Sequence, residues 1–361
     1  YGPPKKNIFL GSWCFVNDID NLKKNKILKY HWSNKKKFKK DAVYINKTTD
    51  KFCKILSRQL NKIHNLNEDF EYWNLLIYPW AHNYVSTMYE RWGTIKNFTK
   101  LNKKKTFSSY QLKIDEKKLV PINNLNFIKN TYTDIWNHLT FLRIIKHLRL
   151  RNVKTIKKGY SYFDTNSDVD FQKGKNNTFD FLISIYELLF AKLAFRFNRI
   201  ILESFSFSTK EFLKLSIKNR LIPSLYKNLF EDIGSKKDLD FERRKIDLKS
   251  IKENKFNDKF LDFLLENLVY DLPMSYFENF LKIKNKMSYL ANKKKLIISM
   301  RSWNYNDQFK ICAAELKKKE SKYFTCEHGG GLMGEYIHPK NFIGKISSHI
   351  HYDSDNSYKK K

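Results

Sequence analysis

The sequence predicts an α/β fold, a parallel sheet flanked by helices, with an added helical portion rich in aromatic residues. Three observations predict it. Residues 296–300 and 323–326 are continuous apolar runs, and between them Phe309, Cys312, Ala313 and Leu316 recur at helical spacing. Strand, helix, strand at this distance is a crossover unit, which makes the two strands parallel and the crossover right-handed. From residue 179 onward, strand-like and helix-like stretches alternate, the pattern of a sheet with helices packed on it.

The elements follow in order. Residues 7–10 read as a short strand, ahead of a small-residue turn, Gly11-Ser12-Trp13-Cys14, that carries a large aromatic. Residues 42–45 read as a second strand behind the lysine run that begins at Lys35. Helical spacing takes over at 50–63 and again at 69–98, where Pro79 should kink or divide the helix. Asp134 opens another helix, with Leu139, Leu142, Ile145 and Leu148 marking a buried face. An apolar helix over 181–197, a strand over 199–203 and a helix over 209–217 capped by Thr209 come next. A charged loop around Gly234 precedes helices at 257–268 and 274–287, the second behind Pro273. The chain divides on this reading into a strand-plus-helix region at 1–115, a sheet lobe at 116–335 and a basic tail at 336–361.

At 361 residues, with 42% hydrophobic and 16% aromatic content, the chain can bury a large core. Its formal charge of +32, from 69 Lys+Arg against 37 Asp+Glu, attracts phosphate on a nucleic acid, an anionic membrane or a small ligand. The excess is mostly lysine, spread along the whole chain beside abundant Asn and Ile. No module concentrates arginine with stacking aromatics, which argues against a nucleic-acid reader. The four cysteines show no CxxC spacing and are too sparse for a disulfide framework, so a reducing compartment is expected and no metal site is implied. The longest apolar run, 181–195, is interrupted by Glu187 and Lys192 and falls short of the roughly 20 residues a bilayer span needs.

Three segments carry candidate chemistry. Glu327-His328-Gly329-Gly330-Gly331-Leu332-Met333-Gly334 directly follows the last apolar run and takes four of the chain's eleven glycines. Glycine lets the backbone turn and approach a ligand closely, and ligands of parallel sheets bind at the carboxyl ends of strands. His328 is there either a general base or phosphate donor, or the cap of a turn. The loop matches neither the GxGxxG fingerprint nor a Walker A motif. The second segment runs from Trp73 through Tyr78, Pro79, Trp80 and His82 to Tyr89, Glu90, Arg91 and Trp92. It is a sugar-stacking wall or an aromatic core helix, and period alone favours the core. In the third, Asp134-Ile135-Trp136-Asn137-His138, Asp134 is a helix cap on the plainest reading.

In order, Gly11-Ser12-Trp13-Cys14, Tyr72-Trp73 through Pro79-Trp80, Asp134 through His138, Leu272-Pro273 ahead of Tyr276, and Glu327-His328-Gly329-Gly330-Gly331 resemble the landmarks of a family of transferases found in O-antigen and surface-polysaccharide gene clusters. The resemblance covers most of the chain, from Asn7 to about Gly334. It implies a relative of GT-B-fold glycosyl- and glycerophosphotransferases, this chain supplying a Rossmann-like, GT-B-like N-terminal lobe. Residues 336–361 would be the remnant of a missing C-terminal lobe, which would put activity of the piece alone in doubt. The resemblance further implies a nucleotide-sugar donor as co-substrate with no cofactor, a glycan or polyprenyl-phosphate-linked acceptor, and work in the cytoplasm or at the inner membrane face. His328 takes the position of the catalytic base. Trp13, His82, Arg91, Asn137, His138, Gly329, Gly330 and Gly331 become substrate-binding candidates. Two other classes stay open, a basic nucleic-acid-binding protein and a non-catalytic lobe that pairs with a separate partner.

Overall fold

The computed structural model describes residues 8–15, 24–161, 178–204, 208–226, 229–230, 234–249, 251, 256–300, 302–326 and 351–352. Two strands, β1 (Ile8–Phe9) and β2 (Lys26–Ile27), pair in parallel around a 3-10 turn at Ser12–Phe15. The chain then enters two long helices, α1 (Lys35–His64) and α2 (Phe70–Leu101), joined by a short loop. Asn34 caps α1, its Oδ1 accepting from the Lys37 amide at 3.0 Å. Residues 42–45, expected as a strand, lie inside α1. A four-residue apolar run satisfies both periods; the helix prevails because Ala42 and Ile45 continue into Phe52, Leu56 and Leu60 as one buried stripe.

Helix α2 starts at the Asp69 cap and runs through Pro79 undivided, so of the kink or division expected there the division does not occur. An interior proline costs a helix about 3 kcal/mol. Burial offsets this, because Trp73, Leu76, Trp80 and Tyr84 flank Pro79 with no exposure. Trp80 stacks on Tyr84 at 5.2 Å between ring centroids and meets Phe52 of α1 at 5.9 Å, pairs worth roughly 0.5–1.5 kcal/mol each beyond area burial. The bland reading of this aromatic segment holds for those rings.

Strands β3 (Phe107–Lys113) and β4 (Val153–Ser161) pair in parallel, and neither was anticipated from the sequence. Between them run α3 (Asn124–Thr131) and α4 (Asp134–His147). Thr133, not Asp134, caps α4, and the buried face is Trp136, Leu139, Thr140 and Ile144. That face is shifted because Trp136 turns inward to donate from Nε1 to Asp271 Oδ1 at 2.9 Å.

The main sheet is parallel with order β5-β6-β7-β8, from β5 (Ile200–Glu203), β6 (Leu296–Ser299), β7 (Lys322–Cys326) and β8 (His351–Tyr352). This is the expected α/β fold, a Rossmann-like parallel sheet with helical portions. Helix α5 (Thr178–Phe197) leads into β5, and α6 (Thr209–Lys218), α7 (Phe241–Asp247), α8 (Lys259–Asp271) and α9 (Phe280–Leu290) lie between β5 and β6. The short α10 (Ser302–Tyr305) and α11 (Asp307–Lys317) connect β6 to β7. Ser208 caps α6 one residue ahead of the expected Thr209, because Glu211 completes a capping box with it.

The helix expected over 274–287 is divided into a 3-10 turn, Met274–Tyr276, and α9. A buried polar node explains the division. Asp307 accepts from the Asn124 amide at 2.9 Å, Ser275 Oγ at 2.5 Å and Tyr276 Oη at 2.7 Å, and pairs with Lys310 Nζ at 2.9 Å. Holding Ser275 and Tyr276 there takes them out of helical register. Nearby, Arg244 is wholly buried, clamping Glu278 through two bonds of 2.5 and 2.6 Å and donating to the Leu272 carbonyl at 2.8 Å. The Leu272-Pro273-Tyr276 landmark is therefore an architectural joint.

Candidate active site at the carboxyl edge of the sheet

The strand register sets one row of polar residues side by side at the carboxyl edge. Glu203 of β5 pairs with Ser299 of β6, Ser299 with Thr325 of β7, and Thr325 with His351 of β8. Paired positions in a parallel sheet lie on a common face, so Glu203, Ser299 and Thr325 share one. Glu203 is 8% exposed and accepts from Ser299 Oγ at 2.9 Å and from Ser302 Oγ, at the start of α10, at 2.6 Å. Burial pushes its carboxyl up to about 7, and the two serine bonds only partly oppose the shift. Next to it, Ser204 holds a left-handed φ of 58°, a conformation that costs a non-glycine residue on the order of 1–3 kcal/mol and gathers at functional strand ends.

A carboxyl that exchanges its proton near neutrality, in the row where parallel sheets bind ligands, can serve as acid, base or hydrogen-bond donor. Sequence reasoning passed over it. The available signal was an acid closing an apolar strand, Ile200-Ile201-Leu202-Glu203. The segment Glu327 to Gly334 follows β7 directly in the sequence. His328, Gly329, Gly330 and Gly331 lie outside the described residues.

A second cluster joins other expected residues. A cavity of about 510 Å³ opens between Tyr30, Trp32 and Phe38 on one side and Ser86, Thr87, Glu90 and Arg91 of α2 on the other, within the size range of small-molecule sites. The Arg91 guanidinium is held from two directions: NH1 pairs with the Glu90 carboxylate, and Nε donates to Asn137 Oδ1 at 2.8 Å. Asn137 is itself fixed by Nδ2 bonds to the Thr131 and Thr133 carbonyls at 2.9 and 2.8 Å. Such orientation suits a planar fork for phosphate or sugar oxygens. Burial, then the Glu90 charge, pushes the Tyr30 phenol up to about 12, so it stays protonated.

The structure thus brings Arg91 and Asn137 together. It also sets the Gly11–Cys14 turn beside α4, where the Cys14 thiol is raised first by burial and further by the Asp134 carboxylate. Trp13 belongs to that turn; its side chain lies outside the described part. His138 Nε2 is buried with no hydrogen-bond partner among the described residues, and burial lowers its basicity. His82 is 2% exposed, its Nε2 3.2 Å from Asn46 Oδ1 and its ring stacked on Tyr78. Among the described residues no group of three His, Cys, Asp or Glu side chains could hold a metal ion.

Fold and edge together define an α/β protein with a row of buried polar residues at the carboxyl edge of a parallel sheet. The model of the LIC12162 family transferase family matches residues 2–352, and the chain belongs to that family. No curated protein and no solved structure matches it.

Proposed function

We propose that the protein moves a sugar, or a related group, from a nucleotide-activated donor to a surface-polysaccharide or O-antigen acceptor, in a GT-B-like arrangement. Membership of a transferase family supports transfer as the reaction class. The observation that supports the finer reading is the row Glu203, Ser299 and Thr325, with Glu327-His328-Gly329-Gly330-Gly331 next in sequence after β7. The acceptor hydroxyl oxygen bonds to the anomeric carbon as the bond to the donor phosphate breaks. The nucleoside diphosphate leaves with the electron pair, and the hydroxyl proton passes to the His328 imidazole. Backbone amides of Gly329 to Gly331 receive phosphate oxygens. Arg91, oriented by Asn137, holds an anionic or hydroxyl group of the substrate, with Tyr30 and Trp32 as stacking faces; Trp13, His82 and His138 are further substrate-binding candidates of this reading. The acceptor is a glycan or a polyprenyl-phosphate-linked chain, and the reaction runs on the cytoplasmic side.

The test mixes the purified chain with a panel of nucleotide sugars and a polyprenyl-phosphate acceptor and reads nucleoside diphosphate release. Turnover falling at least about a hundredfold in His328→Ala supports the base assignment. If neither this chain nor a protein extended past Lys361 binds or consumes a donor, the function is wrong; if His328→Ala turns over normally, the base lies elsewhere.

A further inference from the structure

We propose that α5 lays its exposed face into the headgroup and acyl boundary of an anionic lipid bilayer, docking the protein on the membrane surface. The helix has two unlike sides. Glu187, Ala191, Ala194, Phe195 and Asn198 recur at helical spacing and are buried. On the outer side Phe181 is 65% exposed, Leu182 58%, Leu188 71%, Leu189 65% and Phe197 62%. Scattered single apolar residues on a surface are ordinary, whereas a contiguous set along one helix marks an interaction surface.

Charge complementarity selects the occupant. Between Phe181 and Phe197 the exposed charged side chains among these apolar residues are the cations Lys192 and Arg196. The acid within those bounds is Glu187, which is 2% exposed and faces inward, accepting from Ser224 Oγ at 3.0 Å and the Leu225 amide at 2.7 Å. Helix α6 repeats the theme, with Ile217 72% exposed between Lys214 and Lys218. Large apolar side chains interspersed with lysine and arginine, whose long stems reach up to the headgroups, fit an anionic lipid surface, with the helix about 5–10 Å deep. The formal charge of +32 adds attraction of the same sign. Among the described residues no helix is long and apolar enough to cross a membrane, so α5 lies in the interface. It is presented on a fixed frame: Tyr186 Oη donates to the Pro223 carbonyl at 2.9 Å, and Asn198 Nδ2 to the Ile222 carbonyl at 2.8 Å. Docking stands apart from the transfer reaction, because it is measured with no substrate present.

The full chain is sedimented with phosphatidylcholine vesicles, with and without phosphatidylglycerol, at low and physiological salt. Binding is expected to the anionic vesicles. It should weaken at least about tenfold in Leu188→Glu/Leu189→Glu, and both its strength and its salt dependence should drop in Lys192→Gln/Arg196→Gln. Circular dichroism checks that the variants are folded. Independently, Leu189→Trp should add fluorescence quenched by brominated acyl chains. Absence of vesicle binding overturns the proposal. So does binding untouched by the leucine replacements, which would assign adhesion to the overall charge. A lipid-free dimer, seen by light scattering and dissolved by the same replacements, would give the face to a second copy instead.

Discussion

Replacing Glu203 with glutamine removes a titration and little else. The amide nearly matches the carboxyl in shape; its oxygen can accept from one of Ser299 and Ser302 while its NH₂ donates to the other. In the folded protein the carboxyl loses its proton at about 7 rather than at its ordinary 4.5. Each tenfold in proton affinity is worth about 1.4 kcal/mol, so the difference amounts to roughly 3 kcal/mol. Because the folded value is the higher one, this contribution is fully present below pH 4.5 and is lost as pH rises through 7. Above that point the folded chain carries a buried charge, whereas the glutamine variant does not. Urea unfolding of both proteins at pH 3.5 and 8.5 should therefore match at the acid end. At the alkaline end the variant should be more stable by up to about 3 kcal/mol, about 4 °C in Tm for a chain of this length. Taking the difference between the two proteins cancels every other titrating group. A difference that stays within about 0.5 kcal/mol across that range would refute the claim that Glu203 is held neutral by burial.

Further outcomes follow from the packing and the cleft. Gly93→Ala should gain about 1 kcal/mol of helix propensity yet lower the melting temperature. Its Cβ would stand 2.5 Å from Cε1 of His31, a ring pinned by its Nε2 contact with the Glu90 carbonyl at 3.0 Å; a raised Tm would contradict this. Arg244→Met strands the buried Glu278 and should cost about 3–5 kcal/mol in denaturant unfolding, with Arg244→Met/Glu278→Leu recovering part of it; no recovery would mean the charge left behind is not the cause. Arg91→Lys cannot reach Glu90 and Asn137 together, so kcat/KM should fall at least about tenfold while circular dichroism is unchanged; an unaltered kcat/KM would remove this cleft from substrate binding.

Legibility in the sequence depended on whether one period stood alone. The crossover from β6 through α11 to β7 was readable because two apolar strands bracket an unambiguous helical stripe, and α2 because its aromatics recur over many turns. Residues 42–45 misled because four residues cannot distinguish the periods. Strands β3 and β4 were hidden, since lysine and serine positions such as Ser108, Ser109, Lys154 and Lys157 give no apolar signal. The polar row was invisible for a different reason. Glu203 and Ser299 become neighbours only through the pairing of β5 with β6, and no local pattern encodes that register. Arg91 and Asn137 were singled out separately on two helices; their bond is a tertiary fact.

The contrast between α1–α2 and the main sheet has a consequence for the order of assembly. Two adjacent helices of 30 and 32 residues meet through contacts close in sequence, whereas β5 and β6 pair Ile200 with Leu296, closing a loop of roughly a hundred residues. On the ribosome the helical pair can collapse before any strand of the main sheet has been made. The polar edge is then the last part to form, on a finished helical frame. Substitutions within α1 and α2 will slow folding, while those along the edge will mainly speed unfolding. The polar edge of the sheet is thus free to vary without endangering the step that commits the chain to its fold.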